Sequence, residues 1–272
     1  MRVISIIQNK GGVGKSTVTS NLACALSSTY PDKKVLIVDM DAQGNQAVNF
    51  GIRPEDIEDT VYNVLVDKMP IKKAVTPLRA NLDLLGSNDD MNYFEVDTMP
   101  GAKENTLSKY ITGLKKALEC VEDKYDYVFI DSPPELKFIS SLILSATDDI
   151  YIPFEPDFYN AQGLMKLVEK INVLKNEYII EPQIRGVIAI KVRKNTILHR
   201  SMIDQVEKYC KTNGISLMKT KIMNSVKYAE VVASEGKPIV WAFPNGDHAK
   251  IYFRLLKEVL KSAEKDKTCV PC

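Results

Sequence analysis

The chain has 272 residues, 45% hydrophobic and 26% charged, a balance that supports a buried core and excludes a disordered, collagen-like or disulfide-scaffold protein. No apolar run reaches the roughly eighteen residues of a membrane span, and Met1-Arg2 leads straight into Val3-Ile4-Ser5-Ile6-Ile7 without a signal-peptide pattern, so a cytoplasmic location is expected. The 36 Lys and Arg against 35 Asp and Glu give a formal charge of +1, which argues against a strongly basic nucleic-acid binder. Divided after Leu164, however, the chain carries 16 basic and 24 acidic residues before the cut and 20 basic and 11 acidic after it. A chain polarised in this way can present one basic face to a polyanion.

In chain order, short β-branched runs alternate with stretches of helical period, the pattern of βαβ units. Strands are predicted at 3–7, 34–38, 82–85, 127–130, 149–152, 185–190 and 217–222, and helices at 15–28, 105–120, 138–146, 161–177, 199–213, 229–234 and 248–265. Several strands are apolar on both faces, as in a sheet covered on each side. The expected fold class is therefore α/β, a mostly parallel β-sheet flanked by helices on both faces. Residues 51–101, with Pro54, Pro70, Pro77 and Pro100, are expected to form short helices and loops over one edge. No Gly/Ser/Pro-rich linker breaks the alternation, so residues 1–265 are expected to form a single domain and 266–272 a flexible tail.

Cys24, Cys120 and Cys210 are scattered, as in a protein with reduced thiols. Cys269 and Cys272 form a terminal C-x-x-C, which lacks two of the four ligands that zinc needs. His199 and His248, at helix starts, are expected at the surface or an interface and not as a metal pair.

The chemistry concentrates in Asn9-Lys10-Gly11-Gly12-Val13-Gly14-Lys15-Ser16-Thr17, between the first strand and the first helix, where a phosphate-binding loop must sit. Glycines let successive backbone N–H groups turn inward around an anion. Lys15 can reach the β- and γ-phosphates of a nucleotide, and the Ser16 hydroxyl can ligate Mg²⁺. Asn9 stands at the first glycine position of the usual G-x-x-x-x-G-K-[S/T] pattern, and a second lysine, Lys10, lies inside the loop.

Two acidic strand ends accompany the loop: Asp39-Met40-Asp41-Ala42-Gln43-Gly44-Asn45 and Asp131-Ser132-Pro133-Pro134. In an open parallel sheet, carboxylates at the C-terminal ends of strands beside the first converge on the phosphates. Asp131 fits the Walker B role of holding the Mg²⁺ water shell. No glutamate follows it, so Asp41 is the candidate for orienting the attacking water, with Gln43 and Asn45 in a loop that senses the γ-phosphate. Asp39 and Asp41 also fit as turn residues after a buried strand.

Together these three segments closely resemble the ParA/MinD family of deviant Walker A ATPases, as do Ile152-Pro153-Phe154-Glu155-Pro156, Ala161-Gln162-Gly163-Leu164 and Gly236-Lys237-Pro238. The similarity spans about residues 1–260. It implies a P-loop NTPase architecture of the SIMIBI type, with ATP and Mg²⁺ as cofactors. ATP would be held by Lys10, Gly11, Gly12, Val13, Gly14, Lys15, Ser16 and Thr17, with Ser225 near the adenine, and the cation by Ser16, Asp39, Asp41 and Asp131. Lys10, Lys15 and Asp41 would carry the catalysis. The resemblance further implies a homodimer that closes on ATP, in which the signature lysine, Lys10, crosses to the partner's phosphates.

Within the family the ParA branch fits best: a slow ATPase that binds nonspecific DNA as the ATP dimer and is released by a ParB-like activator, nucleoid-associated in the cytoplasm. The basic C-terminal part suits phosphate neutralisation. The family's DNA-contacting segments resemble 188–196 and 222–230; the first contact position falls at Asn195, with Arg193 and Lys194 adjacent, and the second at Lys227, which points to Arg193, Lys194, Lys221 and Lys227. The competing reading is a MinD-like membrane-associated regulator, which needs a terminal amphipathic helix. Ile251, Tyr252, Phe253, Leu255, Leu256, Val259 and Leu260 of the last helix are instead expected to pack on the sheet, and the polar tail is unsuited to insertion.

Overall fold

The computed structural model describes residues 1–98, 110–135, 138–193 and 196–264. Its strands are β1 (Arg2–Ile6), β2 (Val35–Asp39), β3 (Val75–Arg79), β4 (Leu82–Leu85), β5 (Tyr127–Asp131), β6 (Asp149–Phe154), β7 (Gln183–Ala189) and β8 (Ser216–Leu217). They form one sheet in the order β3-β4-β2-β5-β1-β6-β7-β8, parallel except for the β3–β4 pair.

Side-chain alternation explains why helices must cover both faces. In β2, Val35 and Ile37 enter one core and Leu36 and Val38 the other, and no member of the four is exposed to solvent. The first core is closed by α1 (Lys15–Thr29), whose Ala23, Cys24 and Ala25 allow close approach, and by the last helix, Asp247–Glu264, through Tyr252, Leu255, Leu256 and Val259. Those last residues do pack on the sheet as expected. The second core lies under helices at Gly113–Glu119, Phe138–Ala146, Phe158–Tyr178 and Ile197–Thr212. No described helix is long and apolar enough to cross a membrane.

Three sequence expectations need correction. Within 51–101 the chain makes an antiparallel edge strand, β3, which pairs Val75 with Leu85 and Thr76 with Leu84; Pro77 is tolerated because an edge strand has one side with no ladder to donate to. The strand expected over 217–222 is only Ser216–Leu217, because the N–H groups of Lys219 and Thr220 donate to the Glu258 carboxylate and draw the chain off the ladder. His199 is buried, its Nδ1 accepting from the Arg193 N–H, and is not a surface residue. The tail at 266–272 and the start of the helix expected at 105–120 lie outside the described residues.

Strand order also positions the functional end. β1 sits between β5 and β6, so the connection from β1 to β2 and that from β5 to β6 run in opposite directions along the sheet, and parallel register sets Ile6 beside Asp131 and Asp39 beside Asp131. At the opposite end, Asp149 is fully buried and ties three strands, accepting from Arg2 Nη2 at 3.0 Å and from Arg185 Nε at 2.6 Å. Asp149→Ala would leave two guanidinium groups without this partner. A loss of roughly 3–5 kcal/mol in urea denaturation is expected; a loss under about 1 kcal/mol would mean that water already screens the triad.

Candidate phosphate-binding site

The loop from β1 to α1 is shaped by backbone conformation first. Gly14, with φ 96°, lies in the left-handed region that side-chain-bearing residues avoid, and it sets the direction in which α1 starts. No side chain caps α1, so its opening N–H groups are available to an anion. Val13 is buried and anchors the loop in the core, while Gly11 and Gly12 stay on the surface. Ser16 and Thr17 follow in the first turn, half-buried.

Lys15 is only 6% exposed, and its Nζ lies 3.5 Å from the Lys10 carbonyl. Burial lowers its pKa, against the opposing pull of Asp131 and Asp41. Lys10 behaves differently: its ammonium is exposed on the rim, 3.7 Å from the Asp157 carboxylate.

Asp39 and Asp131 are both fully buried at their strand ends. Asp39 accepts from the N–H groups of Asp41 at 3.0 Å and Gln46 at 2.9 Å, so its two oxygens organise the loop that follows. Asp131 Oδ2 accepts from Gln46 Nε2 at 2.8 Å, while Oδ1 is buried without a partner. Burial pushes Asp131 up to about 6, opposed by Ser16, Gln46 and Lys15. Burial, then the neighbouring Asp131 charge, holds Asp39 well above the carboxylate range. Asp41 is half-buried, and its Oδ1 accepts from the Gln43 N–H at 3.1 Å. Gly44 closes this turn at φ 60°, where a Cβ would lie 2.7 Å from the Ser87 carbonyl oxygen.

Chemically, a buried ammonium, an uncapped helix start and hard oxygen donors make a place for a polyphosphate with a divalent cation. The residues fit such a cation: Asp131 Oδ1, Gln46 Oε1 and Ser132 Oγ are buried acceptors without a hydrogen-bond partner among the described residues, and the Ser16 hydroxyl stands beside the same carboxylate. Next to the loop, a cavity of about 550 Å³ runs from Gly12 and Thr17 past Ile190 and Met223 to Ser225 and Tyr228. Apolar walls with a few polar groups suit a flat aromatic base. Ser225 Oγ lies 3.1 Å from His248 Nε2 and accepts from the Lys227 N–H.

A family model described as "AAA domain" matches residues 1–185. The sporulation initiation inhibitor protein Soj of Bacillus subtilis is 35% identical over 261 residues, covering 95% of this chain and 98% of Soj. A ParA family protein of Mycoplasma pneumoniae is 31% identical, with 95% of this chain and 97% of that protein covered. The chain belongs to the ParA family. Among solved structures, a Cyanothece McdA variant in complex with ATP superposes on this ParA-family chain with a TM-score of 0.81 at 24% identity, covering 96% of each. That likeness concerns the fold, a P-loop NTPase architecture.

The ParA-family chain brings Lys15, Ser16, Asp39, Asp41 and Asp131 together around the loop. The two basic segments also meet: Val192 pairs with Met223 and accepts from the Asn224 N–H, which sets exposed Arg193 beside the stretch that carries exposed Lys221 and Lys227. Lys194 lies outside the described residues. Sequence reasoning missed Gln46 and also Lys191, which adopts φ 52° and donates from Nζ to the Gly12 carbonyl at 2.6 Å. Gln46 stands just past the Asp39–Asn45 segment, and Lys191 lies in the 188–196 stretch read for DNA contacts and not for the loop.

A carboxyl whose folded pKa is raised stabilises the fold below its unfolded pKa, and that contribution is lost as pH rises through the folded value. Without nucleotide and with EDTA present, Asp131→Asn should therefore melt higher than the parent by a margin that grows between about pH 4 and about pH 6.5. A margin independent of pH would show that Asp131 is ionised throughout.

Proposed function

We propose that this chain is a ParA-type ATPase that binds ATP with Mg²⁺, dimerises on it, and as the dimer binds nonspecific DNA to segregate or position a plasmid, chromosome or mobile element with a ParB-like activator. The observation that carries this reading is the division of labour between the two loop lysines. Lys15 is buried beside Asp131 and serves the chain's own phosphates, whereas Lys10 stands exposed on the rim. A cation supplied across an interface offsets phosphate charge only when two subunits meet, so ATP binding and dimerisation become one coupled equilibrium. Asp41, at the mouth of the site, orients the attacking water, and loss of the γ-phosphate releases the dimer.

The ATP is held by Lys10, Gly11, Gly12, Val13, Gly14, Lys15, Ser16 and Thr17, with its base in the cavity beside Ser225. Arg193, Lys194, Lys221 and Lys227 supply the DNA contacts. Each subunit offers a weak basic patch, and pairing two of them raises the avidity that ATP switches on.

Sedimentation and DNA binding test this together. With ATP and Mg²⁺ the parent should sediment as a dimer and bind duplex DNA of any sequence, losing affinity steeply as salt rises; Lys10→Ala should remain a monomer and bind DNA poorly. An unchanged dimer in Lys10→Ala would contradict the exchange of Lys10 between subunits. Binding of the ATP form to anionic liposomes but not to DNA would replace the ParA assignment with a MinD-like one.

A further inference from the structure

Gln46 occupies the first turn of the short helix Asn45–Asn49 and is fully buried. Its side chain ends between α1 and the end of β5. Nε2 donates to Asp131 Oδ2 at 2.8 Å and to the Ser16 carbonyl at 3.1 Å. Both partners are acceptors, so the orientation of the amide is forced: turning it over would set oxygen against oxygen twice. The backbone N–H of the same residue donates to Asp39 Oδ2. One residue thus ties both buried carboxylates to the first turn of the phosphate-loop helix.

With both amide protons used, Gln46 Oε1 is left as a buried acceptor without a partner, and so is Asp131 Oδ1. The two atoms belong to side chains that are hydrogen-bonded to each other, which places the orphans in one small region. Burying unpaired acceptors side by side is costly unless a donor arrives with the ligand. The donor of fitting chemistry is water on a hard divalent cation, because a cation held by few carboxylates keeps several waters, each with polarised protons to give.

We infer that Gln46 is a positioning residue for the divalent cation: its Nε2 holds the Asp131 carboxylate with Oδ1 free, and its Oε1 serves as a second acceptor for cation-bound water. This rests on the proposed use of ATP with a cation at this site. The same helix carries Asn49, whose Nδ2 donates to the Ser16 carbonyl, and Val48 on the wall of the base cavity.

The test uses the full chain and titrates ATP calorimetrically at increasing Mg²⁺ and in EDTA. Gln46→Met keeps the volume and removes the amide; Gln46→Glu keeps an acceptor but loses the donor and faces Asp131 with like charge. Both variants should need about tenfold more Mg²⁺, or beyond, to reach half of the magnesium-dependent gain in affinity, while ATP affinity of the uncharged Gln46→Met in EDTA stays at the parent value. A Mg²⁺ midpoint unchanged in both variants would overturn the inference and leave the ATP reading standing. An equal loss with and without Mg²⁺ would also overturn it, assigning Gln46 to packing alone. A parent that gains nothing from Mg²⁺ would overturn both readings.

Discussion

Two carboxylates and one ammonium are withdrawn from water where β1, β2 and β5 end, and most of what surrounds them answers to that placement. Moving an ion out of water costs several kcal/mol unless it is paired and hydrogen-bonded. Two backbone N–H groups offset only part of the cost of burying Asp39. Asp131 Oδ2 accepts from Gln46 while no described residue donates a hydrogen bond to Oδ1, and the attraction of Asp131 and Asp41 does not offset the burial of the Lys15 ammonium. The cluster is therefore electrostatically incomplete, and a polyphosphate carrying a divalent cation supplies the missing charge of each sign.

The fold makes this tension sustainable. A sheet covered on both faces holds the strand ends rigid, and the register that sets Asp39 opposite Asp131 cannot slip without turning Leu36 and Val38 into the wrong core. Gly44 bends the chain where a side chain would strike Ser87 and returns Gln46 to the carboxylates. The loop after β2 is thus a support for the cluster.

Local patterns were the legible ones. The phosphate loop lies within nine consecutive residues, and its glycines, Lys15 and Ser16 reveal its chemistry without knowledge of the fold. Asp131 was readable because an apolar run ending in Asp marks the end of a buried strand. Gln46 was not, since its role exists only where residues 46 and 131 meet, 85 positions apart. Pro77 masked β3, because proline argues against a strand except at an edge, and edge position is a property of the whole sheet. The truncation of β8 depends on Glu258 in the last helix, and His199 was misplaced because its burial follows from the chain path at 192–193.

Nucleotide and cation together complete the charge cluster, and one calorimetric comparison checks this. ATP is titrated into the parent and into Asp131→Ala, each in Mg²⁺ and in EDTA. The parent should bind ATP at least about tenfold more tightly with Mg²⁺, and Asp131→Ala should lose most of that difference. A parent whose affinity is the same in both buffers, or an Asp131→Ala variant that keeps the full magnesium effect, would contradict it.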